Sequence, residues 1–220
     1  MNTNMNRRRF SASLVSAAAA SALAASGRAF AQAGPVEGKD FTRIETPQPP
    51  GVPPGQVEVL EFFSYACPHC SAFEPAIEAW EKQLPADVVL RRVPVAFLMN
   101  ADNFMRTYYA LETIGAVQAM QVKIFRAIHI ERKHLEKGED IAAFVGANGG
   151  DATKFLAAFK SFSVNTSVAR AKKLMADYKV ESVPMLIVHG RWMTSPSQAG
   201  SQERALAVVD QLVQRVRSGK

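Results

Sequence analysis

The sequence predicts an α/β protein in which an all-helical block interrupts a small sheet. Three observations carry that prediction. Two strand patterns, near 57–63 and 87–97, flank a helix pattern. The stretch from about 100 to 163 shows helical periodicity and no strand. The chain then closes on strand, tight turn, strand and helix.

Taken in order, "FTRIE" (Phe41–Glu45) reads as a short first strand, and the proline-rich "TPQPPGVPPG" after it as a stiff surface connector. In "QVEVLEFFSY" the apolar residues Val57, Val59, Leu60, Phe62 and Phe63 fit a strand buried on both faces. Phe73, Ile77, Trp80 and Leu84 recur at helical spacing in the segment that follows. "DVVLRRVPVAF" (Asp87–Phe97) is a second strand, so the unit is βαβ with parallel strands.

Four short helices come next. Phe104, Tyr108 and Leu111 mark the first, and Met120, Ile124 and Phe125 the second. "EDIAAFVGANGG" gives a third that Gly149 and Gly150 stop, and Asp151 caps the fourth. A long helix from about Asn165 runs back towards the sheet. "SVPMLIVHGRWMT" reads as two strands joined at His189-Gly190, and Leu206, Val209 and Leu212 line a closing helix. The expected division is 34–97 plus 166–220 for the sheet domain and 98–165 for the inserted helical domain.

Residues 1–33 hold four arginines (Arg7, Arg8, Arg9, Arg28), no acid, and a mild alanine-rich apolar run. With small-x-small sites ending at Ala31 and Ala33, this is the pattern of a cleavable signal peptide; "RRRF" also has the look of a twin-arginine signal. Without this leader the formal charge falls from +6 to +2, so nothing in the composition calls for nucleic acid as a partner.

The two cysteines, Cys67 and Cys70, lie in "FFSYACPHCSAFEP" (Phe62–Pro75). A closed zinc site needs four ligands, and the four histidines do not complete one with this pair, so no metal is expected. A structural staple over so short a loop constrains the unfolded chain little. The redox reading fits better. The pair sits where a buried strand gives way to a helix, so Cys67 would occupy a helix N-terminus, where free N–H groups favour a sulfur anion. His69 can add a donor or a positive charge, Pro68 fixes one backbone angle, and Cys70 falls one turn in, on the buried side. Stabilising the Cys67 thiolate makes the disulfide oxidising, which points to donation of disulfides.

These residues carry a resemblance to the DsbA family of periplasmic thiol:disulfide oxidoreductases. "LEFFSYACPHCSAFEP" is similar to that family's active-site segment, and "SVPMLIVHGRW" resembles its second signature, a valine before a cis-proline. The likeness runs from about Phe41 to Arg215. It implies a thioredoxin fold with a helical insertion and no cofactor beyond the Cys67–Cys70 disulfide. It implies that Cys67 attacks, Cys70 resolves, and His69 tunes the thiolate, with Val183 and Pro184 holding substrate backbone. Glu61 matches a buried acid that either assists proton transfer at Cys70 or simply sits at a strand edge; pairing of Arg92 with Glu61 is a further expectation. The implied setting is the periplasm of a Gram-negative bacterium, with reduced unfolded exported proteins as clients and a DsbB-type membrane quinone reductase for reoxidation. Tyr65 and Ala66 depart from the family's bulkier residues. The chain shows neither a second cysteine pair nor an added dimerisation domain, which favours a monomer. An isomerase or dedicated reductant, and a non-redox binding module on the same fold, are the competing readings.

Overall fold

A computed structural model describes residues 34–219, and the expected leader at 1–33 lies outside the described residues. Strands β1 (Thr42–Arg43), β2 (Val57–Phe63), β3 (Val88–Pro94), β4 (Met185–Val188) and β5 (Trp192–Thr194) form one sheet in the order β1-β5-β4-β2-β3. Only β2 and β3 are parallel, as the intervening helix α1 (Pro68–Glu81) requires; the other pairs are antiparallel.

Every residue of β2 is buried, because both sheet faces are covered. Alternation sends Val57 and Val59 to one face and Leu60 and Phe62 to the other. On the first face they meet Phe73 and Ile77 of α1, together with Leu206, Val209 and Leu212 of the last helix, Gln202–Arg217. On the second face they join a larger cluster built mainly by the helical block, where Phe62 meets Tyr178 edge-on at 6.0 Å. Each such large apolar side chain withdrawn from water contributes about 1.5–3 kcal/mol before chain entropy is set against it.

Helices α2 (Ala101–Thr113), α3 (Val117–His129), α4 (Gly138–Ala147), α5 (Ala152–Phe159) and α6 (Phe162–Asp177) stand between β3 and β4. The Asp151 carboxylate accepts from the Lys154 N–H, so α5 starts at its expected cap. Helix α6 opens earlier than its apolar pattern suggested. Its cap is Ser161, whose hydroxyl accepts from the Val164 N–H at 3.2 Å, and its first residue, Phe162, is exposed and so hid the start. The boundary expected between 165 and 166 therefore falls inside a helix. One turn of helix, α7 (Pro196–Ala199), precedes the final helix α8 (Gln202–Arg217) and was not anticipated; four residues are too few to show periodicity.

The β4–β5 hairpin turns where expected. His189 and Gly190 have φ of 49° and 67°, the double left-handed geometry of a two-residue hairpin, and the Arg191 N–H donates to the Val188 carbonyl at 2.9 Å. Gly190 is needed twice over. It takes positive φ, and a side chain there would collide with the Gln48 carbonyl of the proline-rich connector. Gly190→Ala is expected to lower stability by about 2 kcal/mol or more, read from urea unfolding. A change under about 0.5 kcal/mol would show that the connector does not close against this turn.

Candidate active site

The turn from β2 into α1 builds the site. Ser64 organises it: its carbonyl accepts from the Cys67 N–H at 3.0 Å, and its hydroxyl accepts from the Ala66 N–H at 3.1 Å. That turn delivers Cys67 as the N-cap of α1, with extended backbone (φ −89°, ψ 115°), and Pro68 as the first helical residue. Proline suits this place because its missing N–H would have had no intrahelical partner. The Cys67 sulfur takes the role a serine oxygen plays in an ordinary cap: it accepts from the Cys70 N–H at 3.2 Å.

The two thiols are free and lie in different surroundings. Cys67 keeps 5% of its surface exposed and Cys70 only 1%, while Pro68 and His69 between them are exposed. A hydrogen bond from the Cys70 thiol, the backbone N–H groups of Cys70 and His69, and the charge of His69 pull the Cys67 thiol down to about 6, against the opposing effect of burial. Burial, the neighbouring Cys67 sulfur and the charge of Glu61 push the Cys70 thiol far up. One sulfur therefore ionises near neutral pH while its partner keeps its proton.

Chain distant in sequence closes the other side. The Val183–Pro184 peptide bond is cis, and the Val183 carbonyl lies 3.6 Å from the Cys67 sulfur. Among the described residues there is no cluster of three or more histidines, cysteines or carboxylates placed to hold a metal.

Glu61 is not at a sheet edge, contrary to the simpler of its two expected places. Its strand lies inside the sheet, and Glu61 pairs in register with Arg92 on β3 and Leu186 on β4. It faces the α1 side with Val57 and Val59. Arg92 does meet it: Nε lies 3.1 Å from Glu61 Oε2, though not aligned for a hydrogen bond. The same guanidinium reaches Glu81 Oε2 at 2.9 Å and Glu74 Oε1 at 3.5 Å. One cation thus serves three carboxyl groups in a nearly dry place. Burial raises Glu61 to about 8 and also raises Glu74, with the Arg92 charge opposing in both cases.

Sequence reasoning missed Glu74, Gln121 and His129. Gln121 Nε2 donates to Glu74 Oε2 at 3.4 Å, and the Tyr65 hydroxyl donates to Gln121 Oε1. His129 Nε2 lies 2.8 Å from the Tyr65 carbonyl. A signal did exist. Glu74 sits on the inward face of α1 between Phe73 and Ile77, and Gln121 follows Met120 on the inward face of α3; a polar residue in a core register asks for a partner.

Thiol–disulfide exchange is the chemistry such a split serves, because the leaving sulfur must bear a negative charge while its neighbour holds a proton. On this sheet, with this insertion, that defines a thiol:disulfide oxidoreductase of the thioredoxin-like class. Comparison with known proteins narrows the class. The family model described as a DSBA-like thioredoxin domain matches residues 58–204, and the chain belongs to that family. It is 43% identical over 197 residues to the thiol:disulfide interchange protein DsbA of Bordetella parapertussis, covering 89% of this chain and 93% of the relative. It is 39% identical over 188 residues to the protein of that name from Burkholderia cepacia, covering 86% and 89%. The crystal structure of Pseudomonas aeruginosa DsbA superposes with a TM-score of 0.80 at 36% identity, over 84% of this chain and 96% of that one.

Glu61 gives the site a pH signature. Its native value of about 8 lies above the ordinary 4.5, so between them the folded chain binds more protons than the unfolded chain. Its contribution to stability therefore falls as pH rises from about 5 to 8. On the disulfide form, where neither cysteine titrates, Glu61→Gln is expected to lose less stability between pH 5 and pH 8 than the wild-type chain. An equal loss in both, from urea unfolding, rules out the raised carboxyl.

Proposed function

We propose that this protein is a periplasmic dithiol oxidase that donates its Cys67–Cys70 disulfide to reduced, unfolded exported proteins. The observation that carries the reading is the position of the Cys67 sulfur at the N-cap of α1, accepting the Cys70 N–H at 3.2 Å and held down to about 6. A cysteine so placed leaves readily as a thiolate, and a dithiol so stabilised makes its disulfide a strong oxidant.

In the first step a substrate thiolate attacks the Cys67 sulfur. The Cys67–Cys70 bond breaks, a mixed disulfide forms, and Cys70 departs with the electron pair. Cys70 holds its proton tightly, so its departure needs a proton delivered from within; Glu61, raised to about 8, carries one at neutral pH and is assigned that transfer. In the second step another substrate thiolate attacks the substrate's own sulfur. Cys67 leaves as the thiolate, the substrate has lost two electrons to form a disulfide, and the protein is left as the dithiol.

Pro68 opens α1 at the turn geometry the site needs, and exposed His69 adds positive charge near the thiolate. Val183 and Pro184 are assigned to substrate backbone, since the Val183 carbonyl stands beside the reacting sulfur. A DsbB-type membrane quinone reductase would return the dithiol to the disulfide. The family's role and the sequence of the leader support export.

Alkylation rate against pH tests the central claim on the reduced chain. The fast thiol is expected to titrate near 6 and to be lost in Cys67→Ser. Equilibration with glutathione should give a potential well above thioredoxin's, about −270 mV. A midpoint near that of free cysteine, ~8.5, or a potential at thioredoxin's level, overturns the oxidase reading.

A further inference from the structure

Tyr65 is the second residue before Cys67, fully buried, and held at three points by one stripe of α3. Its hydroxyl donates to Gln121. Its ring packs on Phe125 with centroids 5.1 Å apart. Its carbonyl meets His129 Nε2 at 2.8 Å. Gln121, Phe125 and His129 are four residues apart in succession, so they stand one above another on a single helix face.

The carbonyl contact matters most. The Ser64-to-Cys67 turn spends the Ser64 carbonyl on the Cys67 N–H and leaves the Tyr65 carbonyl, in the middle of the turn, without a backbone partner among the described residues. A carbonyl oxygen only accepts, so His129 Nε2 must carry the hydrogen. That fixes the plane of the Tyr65–Ala66 peptide, the last but one before the reactive cysteine. Rotating that plane would carry Ala66 and Cys67 with it and move the sulfur away from the Cys70 N–H.

We propose that His129 and Gln121 are positioning residues for the redox pair: from the inserted helical block they grip Tyr65 by its carbonyl and its hydroxyl, and so hold the turn that presents Cys67 to the N-terminus of α1. Neither touches the reacting sulfurs. The Gln121 amide serves two tasks at once, since its nitrogen donates to Glu74, which in turn meets Arg92 beside Glu61. The grip thus ties the turn to the buried carboxyl cluster as well as to α3. The helical insertion thereby takes part in positioning the redox pair. This inference rests on the reading of Cys67 as the reactive thiolate.

The test uses the reduced chain and the alkylation-against-pH assay, together with urea unfolding. His129→Ala removes the carbonyl's partner, His129→Gln supplies another N–H donor from a side chain of similar reach, and Tyr65→Phe deletes only the hydroxyl from a ring that stays packed. With the turn no longer held, the sulfur moves off the Cys70 N–H that favours its anion, so His129→Ala should move the Cys67 midpoint up by about half a pH unit or more. Tyr65→Phe should move it in the same direction, and His129→Gln should return it to the wild-type value. A purely structural contact would lower the unfolding midpoint and leave the titration where it was. A low wild-type midpoint that neither His129→Ala nor Tyr65→Phe shifts overturns the clamp alone; should His129→Ala fail to fold, Tyr65→Phe decides. A wild-type midpoint near ~8.5 overturns instead the reading of Cys67 beneath it.

Discussion

The first turn of a helix presents N–H groups that have no carbonyl to meet, and in this protein a sulfur stands in front of them. Cys67 caps α1 and accepts the Cys70 N–H, with the His69 N–H also turned towards it. In open solvent such donors would be satisfied by water and would discriminate little between thiol and thiolate. Here Cys67 is almost covered, so the donors it meets are fixed in place before the charge appears. Much of the surrounding structure preserves that arrangement. The Ser64 turn sets the angle of approach, Pro68 starts the helix without a wasted donor, and the cis-proline segment brings the Val183 carbonyl to the remaining open side.

The same dryness acts in the opposite sense one turn along. Cys70 has the anion of Cys67 and the carboxyl of Glu61 as neighbours, so it stays a thiol. Two identical side chains three positions apart thus acquire different acidities from burial and from the end of the helix they face. The buried carboxyls beneath them share one guanidinium, and burying this many charged groups costs stability. The cluster is compatible with folding because two of its carboxyls can take up a proton, which removes the charge that would be most expensive to bury. A carboxyl protonated in this way is the proton source proposed above for a departing Cys70.

The helical insertion is joined to this centre by more than apolar packing. Phe63, Tyr65, Phe104, Tyr108 and Phe125 form a continuous aromatic cluster between the end of β2 and helices α2 and α3. Edge-on ring contacts of this kind favour one relative orientation over others, beyond the area they bury. Tyr65, which the sequence marked only as a departure from the family's pattern, is the residue through which the insertion reaches the active-site turn.

What the sequence determined by itself is what depends on residues a few places apart. The apolar residues Val57, Val59, Leu60, Phe62 and Phe63 fixed β2, helical spacing fixed α1 to α3 and α8, and His189-Gly190 fixed the hairpin. Cys67, Pro68 and Cys70 were legible as a capped helix start because capping is settled within one turn of chain. The family resemblance supplied the cis-proline, which spacing alone does not reveal. The tertiary structure decided what faces these elements. That Glu61 lies inside the sheet against Arg92, that Glu74 and Glu81 share that cation, and that Gln121 and His129 hold Tyr65 all follow from packing between segments far apart in the chain. A glutamate in a strand reads the same at an edge or in an interior. Only the strands on either side of it settle whether water or a guanidinium answers its charge, and with that whether it keeps its proton.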